Sequence, residues 1–463
     1  MKANHPRLTL PIGVAVLVIV GCSTSTPTTT AVPTTISVAT TTVAEATSTT
    51  LAAADALTSQ LDWFMGILNG AELSVEEYEL RFESGFREAV PYETSIVPIV
   101  TELQAAGPYE VVEIDKRSVS GLDALITSAD STRYFVTLDL DANDQIVGLL
   151  VQPADIPELE DPPATLDEAA ARLASLGEAS MLAAEVVGNE CVPIHAVEAE
   201  RPVPLGSAFK LYVLGAVADA VAAGDLAWTD EIVVTDELKS VPSGVLQDRE
   251  DGSTTTVREA AELMISISDN TATDLLINLV GRENVEQAQA NFAHTRPELN
   301  TPFMTTREWA VLKLGPEAEE LRAEYLAADE AGRRAILSDI ADVRADSLAV
   351  GSFLDPIEPD RLEWFGSLFD LCAVHVQLQE RAQEAGLEPV AEILSLNPGV
   401  PSEGWDYIAF KGGSEPGLVT TSWLVRDGQR TFVLAATVLD PAQPIEEIEA
   451  VLVMAAARDL LGQ

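Results

Sequence analysis

Apolar residues recur at several distinct periods along this chain, and each period predicts a different element. Leu8 to Val20 is an apolar run that follows Lys2 and Arg7 and leads into Gly21 and Cys22. It is short for a membrane span and reads as a secretory signal. From Ser23 to about Ala54 the chain is almost entirely Thr, Ser, Ala, Val and Pro, with little charge and no aromatic residue. Such a segment cannot bury enough to fold and is expected to be a tether. The stretches ALTSQLDWFMGILNG and SVEEYELRFESGF place aromatic and aliphatic residues at helical spacing. The period then changes to two: in STRYFVTLDLD, Tyr134, Val136, Leu138 and Leu140 alternate with Phe135, Thr137 and Asp139, and a second strand, IVGLLV, follows the turn-like DANDQ. Helices followed by an antiparallel meander predict a small α+β domain over 56–152. The proline-rich PADIPELEDPP predicts a linker over 153–164, and the capping-box spacing of Thr165 and Glu168 opens a second body, 165–463.

In the second body, PVPLGSAFKLYVLGAVADAVAAGD is apolar nearly all round until Gly224, a plausible helix stop, so the helix it predicts is buried. Ser207 and Lys210 stand at i and i+3 at its start and share a face. Burial lowers the pKa of such a lysine, and a neutral amine is able to take a serine proton. A lysine heading an apolar helix needs a reason to be there. In ELMISISDNTATDLLINLVG, Thr256 and Glu259 cap one helix, Ser268-Asp269-Asn270 interrupts, and a second helix runs to Gly281. In YIAFKGGSEPG, Phe410-Lys411-Gly412-Gly413-Ser414 is expected at a strand end, ahead of LVTTSWLV, an Asp427-Gly428 hairpin turn and TFVLAATV. Glycines after the lysine allow a close backbone approach.

Composition narrows the partners. A chain of 463 residues with 47% hydrophobic content is long enough for more than one core. Its net charge of −47 argues against nucleic acid and anionic lipid head groups as partners. Cys191 and Cys372 either pair in an oxidising compartment or remain two buried thiols. His5, His195, His294 and His375 show no metal-ligand spacing, so neither a metal nor another cofactor is expected.

In that order, Ser-x-x-Lys, Ser-Asp-Asn and Lys-Gly-Gly resemble the three motifs of class A β-lactamases and penicillin-binding proteins, whose third motif is usually Lys-Thr-Gly. The resemblance implies an α+β fold: an antiparallel sheet flanked by helices, with an all-helical subdomain and the closing helix IEEIEAVLVMAAARDLL. An extra charged helical stretch falls between about Gly315 and Leu362. The whole layout is similar to the cephalosporin esterase-like proteins of clavulanic-acid clusters, which join a small steroid-isomerase-like domain to a β-lactamase-like one. It implies that Ser207 forms an acyl-enzyme, Lys210 is its base, Ser268 relays a proton and Lys411 acts electrostatically. Asn270, Phe410, Gly413 and Ser414 would bind substrate, and the N–H groups of Ser207 and Ser414 would form the oxyanion hole. Asp269 is expected to be structural.

Two departures stand out. In class A enzymes an Ω-loop Glu-x-x-Leu-Asn activates the deacylating water. With the register set by Leu299 and Asn300, that position falls on Arg296, which has no lone pair to offer, while Glu298 is out of register. Gly412 removes the hydroxyl expected to hold a β-lactam carboxylate, leaving Ser414 or Thr420 as substitutes. The expectation is a serine hydrolase acting on β-lactam or ester substrates, with weak or atypical β-lactamase activity. The alternatives are a noncatalytic cell-wall or β-lactam sensor and a D-Ala-D-Ala carboxypeptidase-like enzyme acting on peptidoglycan. Ile19-Val20-Gly21-Cys22 resembles a bacterial lipobox. That implies cleavage of a 1–22 signal, lipidation at Cys22, a 23–55 tether and an extracytoplasmic, membrane-anchored protein.

Overall fold

The computed structural model describes residues 56–115, 121–141, 143–154, 159–348, 350, 353–428 and 430–462. The signal peptide, Cys22 and the tether lie outside the described residues. The described residues fall into two compact units that divide between Pro157 and Glu158.

The first unit begins with helix α1 (56–68). Its Leu57, Leu61, Phe64 and Leu68 recur at helical spacing and are buried. Helices α2 (Val75–Arg81), α3 (Ser84–Ala89) and α4 (Val97–Ala106) follow. SVEEYELRFESGF is therefore two helices, not one. Phe82 turns extended and pairs with Ile146, and the Glu83 side chain caps α3. That break lets Tyr78, Phe82 and Phe86 stack in sequence, with neighbouring ring centroids 4.7 Å apart. A four-stranded antiparallel meander closes the unit: β1 (Glu110–Asp115), β2 (Gly121–Thr127), β3 (Arg133–Leu140) and β4 (Ile146–Pro153). The alternation in β3 is the expected one, with Val136, Leu138 and Leu140 buried. Strands β1 and β2 were not foreseen, because EVVEID has no period of two and its Val111 and Val112 are exposed.

The second unit is built on a five-stranded antiparallel sheet of order β11-β12-β13-β5-β6. Its elements, in chain order, begin with α5 (Leu166–Ala174), β5 (Glu178–Val187), β6 (Glu190–Val197) and the short β7 (Val203–Pro204). A helical region follows, of α6 (Lys210–Ala223), the two-stranded β8 (Glu231–Val233) and β9 (Thr254–Thr256), α7 (Val257–Ser266), α8 (Asn270–Val280) and α9 (Arg282–Asn291). Next come α10 (Thr306–Leu314) and the charged stretch, which forms α11 (Ala318–Ala327) and α12 (Glu330–Asp339). After β10 (Phe365–Gly366), α13 (Leu368–Arg381) and α14 (Pro389–Leu394), the chain returns as β11 (Tyr407–Glu415), β12 (Leu418–Asp427), β13 (Arg430–Leu439) and α15 (Glu447–Asp459).

One sheet face packs on α5 and α15 through Leu173, Trp423, Phe432 and Val453, and the other faces the larger core around α6. Helix α6 is buried from Lys210 to Ala218, so its apolar length marks a core helix. It ends where Gly224 takes φ +78°, a left-handed turn that glycine adopts without strain. Cys191 on β6 and Cys372 on α13 form a disulfide, with Cα atoms 6.4 Å apart. Of the two states left open by the sequence, the bonded one is present, and it ties the sheet edge to the helix beneath it.

Candidate active site

The turn that carries Ser207 is set by what precedes it. Strand β7 pairs with β10, Leu205 N–H donates to Trp364 O at 2.8 Å, and Gly206 takes φ +49° to enter a 3₁₀ turn over Gly206–Phe209. In such a turn side chains at i and i+3 eclipse. Ser207 and Lys210 therefore meet, with Nζ and Oγ 3.2 Å apart. Lys210 is wholly buried, and burial pushes its pKa down to about 7 against the opposing pull of the Asp269, Asp274 and Glu363 carboxylates.

The second element enters between α7 and α8. Ser268 sits at φ +61°, a left-handed conformation that a serine adopts only when its surroundings impose it. Asp269 supplies the constraint: its carboxylate accepts from Ala272 N–H to cap α8 and from Val245 and Leu246 N–H at 2.7 and 2.9 Å. Gly244 makes this possible, since a Cβ there would lie 2.3 Å from the Asp269 carboxyl carbon. Ser243 Oγ donates to Ser268 O at 2.9 Å, and Asn270 N–H donates to Ser243 O at 2.9 Å. Asp269 is thus structural in its contacts, as expected. Ser243 carries no local sequence signal, because its contact spans a sequence separation of 25.

Strand β11 supplies the third element. Lys411 lies in mid-strand, not at the strand end expected from the glycines. The strand continues to Glu415, and Gly413 lets it lie flush against the Ser207 turn: a Cβ on Gly413 would lie 2.0 Å from Ser207 N. Ser207 and Ser414 therefore stand on backbones that nearly touch at Gly413. The exposed Ser414 and the half-buried Phe410 lie on the same strand. Lys411 Nζ donates to Ser268 Oγ at 3.0 Å and Gly412 O at 2.7 Å. Burial, then the neighbouring Lys210, holds its pKa well below the ordinary lysine value. Behind it, Ser422 Oγ donates to Lys411 O at 2.8 Å and lies 3.0 Å from His375 Nε2. His375 is buried and kept neutral by desolvation, with a pKa near 4.

Five candidates therefore converge. Lys210 Nζ contacts Ser207 Oγ at 3.2 Å, Ser268 Oγ at 3.0 Å, Ser268 O at 2.7 Å and Asn270 Oδ1 at 2.7 Å, while Lys411 reaches the same Ser268 hydroxyl. A neutral amine can donate to the two closest acceptors, Ser268 O and Asn270 Oδ1, and turn its lone pair toward Ser207. The arrangement can carry a proton from one serine to the other through an amine.

The 294–300 loop is different. Asn300 is buried and bonds Gln289 Oε1 at 2.7 Å, Phe365 O at 2.8 Å and Phe365 N at 2.7 Å. Arg296 and Glu298 are exposed and pair with each other at 2.9 Å. The guanidinium bond holds the Glu298 carboxyl below its ordinary range. Their hydrogen bonds do not reach the Ser207 cluster, and Glu298 is spent on Arg296.

Residues 170–333 match the model of the β-lactamase enzyme family, a stretch that contains the first two motifs and the loop. This match supports a likeness of the larger unit to the serine β-lactamase and penicillin-binding protein superfamily. Residues 52–146 match the model described as the ORF 12 gene product N-terminal. No curated protein matches the chain. Among solved structures, a β-lactamase from Sphaerobacter thermophilus is 24% identical, with 63% of this chain and 93% of that one covered at a TM-score of 0.44. A β-lactamase from Xanthomonas campestris is 17% identical, covering 65% and 100% at 0.43. A mutant of the protein PBP-A, captured as an acyl-enzyme with penicillin G, is 18% identical, covering 65% and 99% at 0.42. The family match covers part of the larger unit, and the chemistry must be defined by the particular residues there.

Proposed function

We propose that the protein is an active-site-serine hydrolase that is acylated readily at Ser207 and deacylates slowly when the acyl group comes from a β-lactam. The observation that carries this reading is one buried amine that reaches both serines: Lys210 Nζ lies 3.2 Å from Ser207 Oγ and 3.0 Å from Ser268 Oγ. Lys210 takes the proton as Ser207 Oγ bonds to the acyl carbon. The carbon–nitrogen or ester carbon–oxygen bond breaks, and the leaving atom receives a proton from Ser268 Oγ, which Lys210 replenishes. Backbone N–H groups of Ser207 and Ser414 receive the oxyanion, and Asn270 contacts the acyl side chain. Lys411 steadies Ser268.

Deacylation needs a base for water. Arg296 cannot act as one, and Glu298 is ion-paired in solvent. Lost general-base assistance typically costs about 10²- to 10⁴-fold. A β-lactam's ring-opened amine stays tethered to the acyl group and hinders water, so that acyl-enzyme persists, whereas a simple ester's alcohol departs and leaves room for a water activated by Lys210. Esterase activity, including on cephalosporin esters, fits this division better than efficient β-lactamase activity. In the cell the protein acts outside the cytoplasm, anchored through a lipid on Cys22, and globomycin-sensitive processing together with loss of membrane partitioning in Cys22→Ala is the expected result. For the chemistry, activated esters and penicillins are mixed with wild type and Ser207→Ala, and the adduct is mapped by peptide mass spectrometry. Turnover and adduct vanish together in the variant. Hydrolysis that survives Ser207→Ala contradicts the reading and leaves a binding or sensor role.

A further inference from the structure

Three ionisable side chains that the proposed chemistry does not use are buried together. Lys313, on α10, donates to both carboxylate oxygens of Glu415 at 2.6 and 2.5 Å and lies 3.6 Å from Glu363 Oε1, and none of the three side chains is more than 2% exposed. Burial pushes both carboxyls above the ordinary carboxylate range, the Lys313 ammonium pulls them down, and the two carboxyls hydrogen-bond to each other. One ammonium, one carboxylate and one protonated carboxyl leave the cluster neutral, as a dry interior requires. Trp309 Nε1 donates to Glu363 Oε1 at 2.6 Å, and the centre of its ring lies 4.7 Å from Lys313 Nζ.

The cluster reaches both sides of the Ser207 turn. Glu415 follows Ser414 on β11. Glu363 precedes Trp364, whose carbonyl accepts from Leu205 N–H at 2.8 Å and whose ring stacks on Phe209 at 3.7 Å. Lys313 therefore joins the strand that carries Ser414 to the turn that carries Ser207. The stretch after Gly315 closes over this junction. Phe353 packs edge-on against Trp309 at 5.8 Å and 76°, and Pro356 covers the β11–β12 hairpin, where a Cβ on Gly417 would lie 2.7 Å from Pro356 Cγ. A buried ion pair adds little net stability, so what marks this one is its place between the two backbones that meet at Gly413.

We propose that Lys313 and Glu415 are positioning residues: with Glu363 and the stretch that covers them, they form a buried brace that sets the Ser414 N–H beside the Ser207 N–H as one oxyanion-binding pair. The inference rests on the reading of Ser207 as nucleophile and of these two N–H groups as the oxyanion hole. The test uses a nitrophenyl ester and the matching thionoester, in which sulfur replaces the carbonyl oxygen, and reads nitrophenol release in the first turnover. Ser207 displaces the same alcohol from both, but donors set for oxygen fit sulfur poorly. Wild type is expected to favour the oxo ester by about tenfold or more, after correction for the reactivity of each ester toward hydroxide. Lys313→Met/Glu415→Leu replaces the ion pair with apolar side chains of similar size. It is expected to slow the oxo ester by about tenfold, short of the roughly 10²- to 10³-fold cost of losing a donor outright, while the thionoester changes little. Glu415→Gln, which can still accept from Lys313, is expected to recover most of the lost ratio. Equal slowing of both esters, or an unchanged ratio, in the folded double variant overturns the proposal. Phe353→Ala loosens the same brace without removing a charge, and its ratio is expected to fall as well. An unchanged ratio there overturns the proposal even where the double variant fails to fold. A neutral fluorophosphonate separates the two levels: failure to label Ser207 in wild type overturns the nucleophile reading and this inference together, whereas labelling without an oxo-ester preference overturns this inference alone.

Discussion

The turn at Ser268–Asn270 is tied on all sides: Asp269 accepts three backbone N–H groups, Ser243 holds the Ser268 carbonyl, and two buried lysines share the Ser268 hydroxyl. The loop at 294–300 is tied only at its ends. Buried Asn300 locks onto Phe365, whose strand partner Pro204 lies three residues before Ser207, and Thr295 bonds Asp370, yet Arg296 and Glu298 between them are exposed and satisfied by each other. On the proposed function, the first region would move a proton between serines, and the second would keep its scaffold without supplying a base. The two halves of an acyl-transfer reaction use separate groups, so one can be kept while the other is lost.

The largest expected effect is in the tied region. Lys210→Ala removes the amine that links both serines and is expected to slow Ser207 acylation by roughly 10²- to 10⁴-fold while leaving the fold intact, as read by single-turnover mass spectrometry and circular dichroism. An effect below tenfold would mean that Lys411 or water replaces it. The loop is expected to respond in the opposite sense. Arg296→Glu supplies a carboxylate in the register set by Asn300 and is expected to speed loss of a penicillin-derived adduct by about tenfold or more, with acylation little changed. An unchanged adduct lifetime would show that position 296 does not address the acyl carbon. The smallest effect is on pH. Burial lowers the Lys210 pKa to about 7, so the amine is protonated and inactive as a base below that value and free above it. Acylation is expected to fall about tenfold per pH unit below 7 and to level off above it. A midpoint near the ordinary lysine range would contradict the buried-amine account.

Much of this comparison is legible in the chain. Helix α6 follows from an apolar pattern that leaves no polar face, and the Ser207–Lys210 pair from i, i+3 spacing, because both are local properties of the backbone. The Asn300 register comes from the family resemblance, not from a local period of the chain. What joins distant segments is not legible. The Cys191–Cys372 bond closes 181 residues, Ser243 reaches Ser268 from another loop, and the His375–Ser422–Lys411 relay crosses three elements. The glycines after Lys411 misled the strand boundary, since glycine marks both a strand end and a close backbone approach, and here it is the second.

The most direct measurement is an intact-protein mass-spectrometric time course of the described body mixed with a penicillin in slight excess, followed from the first seconds to hours. The account predicts fast appearance of one adduct on Ser207 and a lifetime longer than its formation time by about 10²-fold or more, the scale of a missing general base. Product released in step with substrate loss, with no adduct accumulating, would contradict it and mean that another group activates the deacylating water.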